Sequence, residues 1–410
     1  MTGDLSFGGL LVVALVAVVA PLAATAIPRI RMPAVVLEIV AGIVVGPSVL
    51  GWVEVDPPVA VLALVGLAFL LFLAGLEIDL MGLRGDLLRL PLAGFGVTLA
   101  VGLGAGLGLQ AAGWVSSAPF LAIVLAATSL GLVVPVLKDA GQADRPLGQL
   151  TIASATVADF GAVILLSLFF SESEGSTASR LVTLGLFVAV IAAVGAVLLR
   201  AGRSMRLEAV LVRLQDTTAE IRVRIAVALL VGFVALAAAV GLETILGAFV
   251  AGALMGVVDR DTRSHPHFRT KLDAIGFGFL IPVFFVTSGL RFDLDALTAE
   301  PSAMLRVPVL LAALLAARGL PALLYRDRLG ADGVLAAGLL QATSLPFIVT
   351  ATEIGVELGV VRPVTAAALV TAGLLSVVLF PPVALARLRR LAARPPTGAS
   401  ADADGGAPTG

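Results

Sequence analysis

The chain has no cysteine, one tyrosine, two tryptophans and two histidines in 410 residues. Without thiols there is neither a disulfide framework nor a thiolate metal site. The two histidines, His265 and His267, sit together in the polar stretch 259–271 and cannot by themselves cage a transition metal. They read as surface-loop residues, with a pH-sensing role as the alternative because histidine titrates near neutrality. Charge is scarce as well: 13% of residues are charged, against roughly 25% in soluble proteins. The net charge of -1 provides no field to attract nucleic acid.

Apolar sequence fills the space those absences leave. Hydrophobic residues make up 59% of the chain and the mean hydropathy is +1.08, which marks a polytopic membrane protein. Scanning for apolar runs of about 20 residues, the length that spans a bilayer as a helix, gives thirteen candidates between 7–26 and 363–386. The first run has no basic residue before it and has Arg29 and Arg31 after it, the reverse of a secretory signal. Alternating the loops from an external start places 22 of the 27 basic residues on one side. By the positive-inside rule that side is the cytoplasm, so the expected topology has an external N-terminus and a cytoplasmic C-terminus.

An internal repeat runs through these spans. Ala127-Thr128-Ser129-Leu130 returns as Ala342-Thr343-Ser344-Leu345, each followed at once by a helix breaker, Gly131 or Pro346. Gly75-Leu76-Glu77-Ile78-Asp79-Leu80 answers Gly289-Leu290-Arg291-Phe292-Asp293-Leu294, and Ala41-Gly42 answers Ala251-Gly252. The offsets are 215, 214 and 210 residues, so order and spacing are nearly kept. Matched spans lie seven apart, and an odd separation inverts one copy. The expectation is therefore an all-α membrane fold of two inverted-topology repeats, about 33–171 and 243–386, with two broken helices that cross. Residues 200–221 read as a basic amphipathic linker on the cytoplasmic interface. Residues 391–410, rich in Pro, Gly, Ala, Ser and Asp, read as a disordered tail.

Ionisable groups at membrane depth point to the chemistry. Asp159 lies in the middle of the sixth span, and a charge at the bilayer centre costs about 3 kcal/mol on insertion scales. A carboxylate near hydroxyls and freed carbonyls, here Thr128, Ser129 and Thr156, offers hard oxygen ligands suited to Na+ or K+. A group that holds either a proton or a cation supports exchange when its site opens to each face in turn. The breaks beside Thr128-Ser129 and Thr343-Ser344 would bring half-helix dipoles to the same depth. Arg318, the one basic residue within a span, is a candidate charge partner, a compensator of helix dipoles, or a side chain that snorkels to the interface. Glu38, Glu77, Asp79, Glu243, Asp293 and Glu353 lie near span ends and read as helix-capping or water-facing acids. The glycines Gly102, Gly104, Gly106 and Gly108 have no strand before them and read as close helix packing, not as a dinucleotide fingerprint.

Several of these segments resemble the monovalent cation:proton antiporter superfamily, nearest its second, Kef-like branch. They are the stretch from Pro33 through Glu38, Gly42, Gly46 and Pro47 to Gly51, then Phe72 to Leu80, Ala127 to Lys138, Leu246 to Gly252, and Pro282 to Leu290. The resemblance covers residues 1 to about 390, the expected transmembrane exchanger domain. It places the family's ion-binding aspartate on Asp159, its basic residue of the tenth or eleventh span on Arg318 and its two crossed, unwound helices on Thr128-Ser129 and Thr343-Ser344, and it implies a dimerisation domain, a mobile core and elevator-like alternating access in a cell-membrane homodimer. Two departures stand out. Many members carry a second polar or acidic residue before the aspartate where this chain has Ala158, which favours one-for-one, electroneutral exchange. The regulatory nucleotide-binding domain of many Kef-like members is not expected in this chain.

The leading expectation is a Na+ or K+/H+ antiporter without a cofactor. A channel-like cation pathway and a sodium-coupled organic solute symporter are the alternatives. A membrane-embedded enzyme is disfavoured, because no nucleophile and base pair at membrane depth.

Overall fold

Each of the thirteen apolar runs is helical in the computed structural model, which describes residues 7–26, 33–77, 85–170, 177–201, 220–258, 267–298 and 301–392. The first four runs are α1 (Gly8–Ala26), α2 (Ala34–Val45), α3 (Pro57–Leu76) and α4 (Asp86–Ala111). The fifth is split into α5 (Ala118–Ala126) and α6 (Leu130–Asp139), and α7 (Pro146–Phe169) and α8 (Thr177–Ala201) follow. Next come α9 (Ile221–Ala239), α10 (Thr244–Val258), and one rod made of α11 (Phe268–Ile275), a π-helical turn (Gly276–Leu280) and α12 (Ile281–Leu290). After the short α13 (Leu294–Thr298) come α14 (Pro301–Gly319), a 3-10 segment (Leu320–Tyr325) and α15 (Arg326–Gln341). The twelfth run resumes past its break as α16 (Pro346–Glu357), and α17 (Pro363–Ala392) ends the described chain.

Among the described residues, seven helical stretches are long and apolar enough to cross a membrane, including Pro57–Leu76, Pro146–Phe169 and Pro363–Leu388, and shorter apolar helices accompany them. No strand occurs among the described residues. Most of the linker 200–221 and of the tail 391–410 lies outside the described residues, as do His265 and Asp79, while His267 is exposed.

Local chemistry sets the helix ends. Asp56 caps α3 by accepting from the Val59 amide at 2.9 Å, with Pro57 as the first helical residue. Ser117 caps α5 from the Phe120 amide at 3.3 Å. A side-chain oxygen at this position satisfies one of the orphan amides of a helix start, and proline there loses no hydrogen bond. The two short half-helices stop alike, with a left-handed glycine just past α6 (Gly141, φ 61°) and just past α16 (Gly359, φ 69°). The sequence suggests a loop between residues 324 and 332. The chain is instead helical there, except at Gly330, whose φ of 64° and ψ of 177° kink α15 near its start.

The helices assemble into two bundles. In one, α3 packs on α10 and on α12, α2 packs on α12, and α9 packs on α10. In the other, α4 packs on α5 and α7, while α17 packs on α14, α15 and α16. Close approach in the first bundle depends on glycine. A Cβ on Gly42 would press into the Val286 carbonyl, and one on Gly289 into that of Ile39. A Cβ on Gly75 would meet the Phe249 carbonyl, and one on Gly252 that of Phe72. These four glycines belong to the internally matched segments, and the crossing of α2 on α12 at Gly42 and Gly289 is answered by the crossing of α3 on α10 at Gly75 and Gly252. Small residues of this kind let helix backbones touch where no hydrophobic force separates helix from lipid.

Candidate functional site

Both broken helices lie in the second bundle and meet at their breaks. Past Ala126 the backbone turns extended, with Ala127 at ψ 154° and Ser129 at ψ 93°, before α6 begins at Leu130. The first amides of a helix have no partner within it and carry the positive end of its dipole. Asp159, on α7, supplies the partner: one carboxylate oxygen accepts from the Thr128 amide at 2.9 Å and the other from the Leu130 amide at 3.4 Å. The second break lies between Gln341 and Pro346, and its Thr343 carbonyl accepts from the Ser129 amide at 2.9 Å.

The opposite dipole end is served by Arg318. This guanidinium is buried, at 1% exposure, and donates from Nε to the Gln341 carbonyl at 3.3 Å, at the C-terminus of α15. It also bonds the Thr128 hydroxyl from Nε at 2.9 Å and Nη2 at 2.5 Å, and the Thr98 hydroxyl from Nη1 at 3.3 Å. Thr128 in turn donates its hydroxyl proton to the Gln341 carbonyl at 2.8 Å. A carboxylate sits at a positive helix end, a guanidinium at a negative one, and Thr128 ties them together.

Asp159 is not sealed off. It is partly exposed and lines a cavity of about 70 Å³ between the two bundles, together with Glu77, Thr128, Ser129, Gly131 and Pro346. Phe277, in the π-helical turn of the first bundle, forms part of the wall. The lining thus offers two carboxylates, hydroxyls and a stretch of non-helical backbone, the oxygen donors that monovalent cations accept. A second, larger cavity of about 300 Å³ opens between the end of α12 and α16, where Arg291 Nη1 lies 3.6 Å from the Glu353 carboxylate.

The sites read from sequence fare unequally. Asp159, Thr128, Ser129 and Arg318 converge, as do the two breaks with Thr343, Ser344 and Pro346. Gly131 falls within the first turn of α6 and faces the cavity. Thr156 is buried on α7, one turn before Asp159, and is not part of the cavity lining. Arg318 does not snorkel; it lies in the core and reaches toward Asp159 only by way of Thr128. Asp293 does cap a short helix, accepting from the Ala296 amide at 2.8 Å.

Glu77 is exposed at the C-cap of α3, as its position suggests, and also lines the cavity that holds Asp159. Two acids depart from the helix-end reading. Glu38 is buried on α2, 5% exposed, and does not face water. Glu353 lies inside α16 and bridges to Arg291 of the other bundle. Thr98, Gln341 and Ser376 carry no signal in the sequence beyond their polarity within apolar helices. Glu77 did carry one, because the matched hexapeptides set it opposite Arg291.

Apolar helices in two bundles, with two interrupted helices joined backbone to backbone beside a carboxylate, define an integral membrane transporter of the ion-coupled kind. The chain belongs to the sodium/hydrogen exchanger transmembrane family, whose model matches residues 14–385. That is a family of transporters, not of enzymes. Among curated relatives, the putative Na(+)/H(+) antiporter YjbQ of Bacillus subtilis is 29% identical over 405 residues, 95% of this chain and 64% of that protein. The chain therefore spans just under two thirds of that relative's length. The Na(+)/H(+)-K(+) antiporter GerN of Bacillus cereus is 26% identical over 87% of this chain and 90% of its own. The sodium proton antiporter MjNhaP1 of Methanocaldococcus jannaschii shares the fold, with a TM-score of 0.63 at 16% identity over 94% of this chain and 99% of that structure.

Proposed function

We propose that this protein exchanges a monovalent cation, Na+ or K+, for H+ by alternating access, with Asp159 holding either the cation or the proton. The observation that carries this reading is the Asp159 carboxylate at the N-terminus of α6, open to a cavity between the two bundles. A proton arriving at Asp159 and a cation arriving at the same oxygens compete, so loading one expels the other. Thr128 and Ser129 supply further oxygens. Arg318 compensates the negative end of α15, which leaves the charge of Asp159 available to its ligand. The relatives, named as sodium/proton antiporters, support the same substrates.

The paired glycine contacts and the paired breaks support inverted repeats over about 33–171 and 243–386, with the first bundle as frame and dimer contact and the second as the moving core. With Ala158 before it, Asp159 stands alone as the carboxylate on its helix, which favours one proton for one cation. The stretch from Pro33 to Gly51 supports placement in the Kef-like branch, and the distribution of arginines supports an external N-terminus and a cytoplasmic C-terminus.

Proton flux in reconstituted vesicles tests the proposal, with Na+, K+ or Li+ added in turn to the native protein and to Asp159→Asn. The native protein should move protons on addition of at least one of these ions, and the variant should not. Equal exchange by the two proteins would remove Asp159 from the mechanism. Cation flux that is neither turnover-limited nor coupled to a pH gradient would favour the channel-like alternative.

A further inference from the structure

The first break is held by Asp159, and the second is held by a residue that no motif singles out. Ser376, fully buried on α17, accepts from the Ser344 amide at 3.1 Å. Its own proton goes to the Gly373 carbonyl at 2.7 Å or the Ser344 carbonyl at 3.1 Å. The two holders come from equivalent places. Asp159 lies on the helix that follows the first broken helix, and Ser376 on the helix that follows the second. Each receives a backbone amide from the matched Thr-Ser pair, Thr128 in one case and Ser344 in the other.

The Ser344 amide nitrogen and the Thr343 carbonyl oxygen belong to one peptide group, and that group is planar and rigid. Its N–H is fixed by Ser376 at 3.1 Å, and its oxygen accepts from Ser129 at 2.9 Å. Ser129 stands between Thr128 and Leu130, the two residues whose amides hold the Asp159 carboxylate. A single peptide plane therefore links Ser376 to the backbone that carries the ion site. Turning that plane, in a stretch that is not helical, would withdraw the Thr343 oxygen from Ser129 and release the first break.

We infer that Ser376 is a positioning residue for the ion site, orienting the Thr343–Ser344 peptide so that the Thr128–Leu130 break keeps its grip on Asp159. A hydroxyl performs this task without charge, so the second break is pinned while only the first carries a group able to hold the cation. The inference rests on the reading of Asp159 as the ion-binding carboxylate. The bland alternative is a serine that only back-bonds within α17 and contributes to folding.

Cation-dependent proton flux in vesicles, measured over a range of cation concentration for the native protein, Ser376→Ala, Ser376→Thr and Asp159→Asn, separates the possibilities. Positioning predicts that Ser376→Ala raises the apparent KM about fivefold or more with the maximal rate within about twofold of native, because ligand geometry is lost while the transport step is kept. Ser376→Thr, which keeps the hydroxyl, should return the KM to within about twofold of native. An unchanged KM in Ser376→Ala, a loss of maximal rate alone, or a threonine variant no better than alanine would each overturn the inference. If the alanine variant fails to accumulate in the membrane, Ser376→Cys, a weaker acceptor of nearly the same size, is judged by the same criteria. An active Asp159→Asn would instead refute the ion-site reading itself. An inactive Asp159→Asn beside a native-like Ser376→Ala refutes only the role of Ser376.

Discussion

Arg318 and Asp159, a buried cation and a carboxylate at membrane depth, hold the same residue from two sides: Arg318 binds the hydroxyl of Thr128 at 2.9 and 2.5 Å, and Asp159 binds its amide at 2.9 Å. Separation by one threonine has a consequence for exchange. A direct ion pair would compete with the transported cation for the carboxylate, whereas this arrangement lets the guanidinium satisfy the C-terminus of α15 and leaves the carboxylate free on its cavity side. The network also leaves little slack, since an unsatisfied buried charge is costly.

Thr128→Val tests this directly. Valine has nearly the shape of threonine but removes the acceptor of two guanidinium hydrogen bonds and the donor to the Gln341 carbonyl. The expected loss of stability is about 3 kcal/mol, read as a lower midpoint of thermal unfolding in detergent, with Thr128→Ser close to native. Arg318→Lys keeps the charge but loses the fork, so it should fall between native and Arg318→Met.

The glycine crossings predict a contrast. Gly252→Ala would drive a methyl group into the Phe72 carbonyl, and Gly42→Ala into that of Val286. Each should cost about 1–3 kcal/mol or more, because the opposing atoms are backbone and cannot rotate away. Gly131→Ala has nothing within 4 Å of its added methyl and should leave the thermal midpoint unchanged. A midpoint as low for Gly131→Ala as for Gly252→Ala would show that these glycines do not act through packing.

The proposed competition between proton and cation at Asp159 fixes a sign for pH. A carboxyl group that must release its proton before taking a cation binds the cation less well as pH falls. The apparent KM for the cation should rise with falling pH, approaching about tenfold per unit once the protonated form dominates. Glu77, in the same cavity, adds negative charge without touching the break. Glu77→Gln should therefore raise the KM several-fold and keep the pH slope, whereas Asp159→Asn should abolish exchange. A KM that stays flat from mildly acidic to mildly alkaline conditions would disprove the shared site.

Much of this architecture is legible in the sequence. All thirteen apolar runs are helical, and both breaks lie where Ala-Thr-Ser-Leu repeats, because hydropathy and helix breakers are local properties. Asp159 stood out by the cost of its placement. The partners of Arg318 and of the second break are not legible: Thr98 and Ser376 are ordinary hydroxyl residues in apolar helices, distinguished only by what the fold brings to them. Glu77 is exposed at the end of α3, as its position suggests, and also lines the Asp159 cavity, which its own sequence does not show.

The last prediction concerns the face away from Asp159. The matched hexapeptides place Glu77 and Arg291 at equivalent positions, and each lines a cavity between the bundles, Glu77 the one with Asp159 and Arg291 the one with Glu353. The Arg291–Glu353 contact of 3.6 Å joins α12 of one bundle to α16 of the other, so relative motion of the bundles must stretch or break it. Both side chains are partly exposed, at 38% and 24%, which limits the strength of the pair. Such pairs contribute about 0.2–1 kcal/mol, enough to bias a conformational equilibrium without locking it. Neutralising Arg291 should therefore shift the population toward opening on this face. Because the native chain has no cysteine, Thr352→Cys, in the cavity lining, provides a single reporter for a membrane-impermeant maleimide. Adding Arg291→Ala should speed its labelling by up to about fivefold, and by no less than about 1.4-fold, the range that corresponds to a bias of this size. Reversing the charges, with Arg291→Glu and Glu353→Arg together, should restore the slower rate. Equal labelling in all three backgrounds would show that this ion pair does not restrain the bundles.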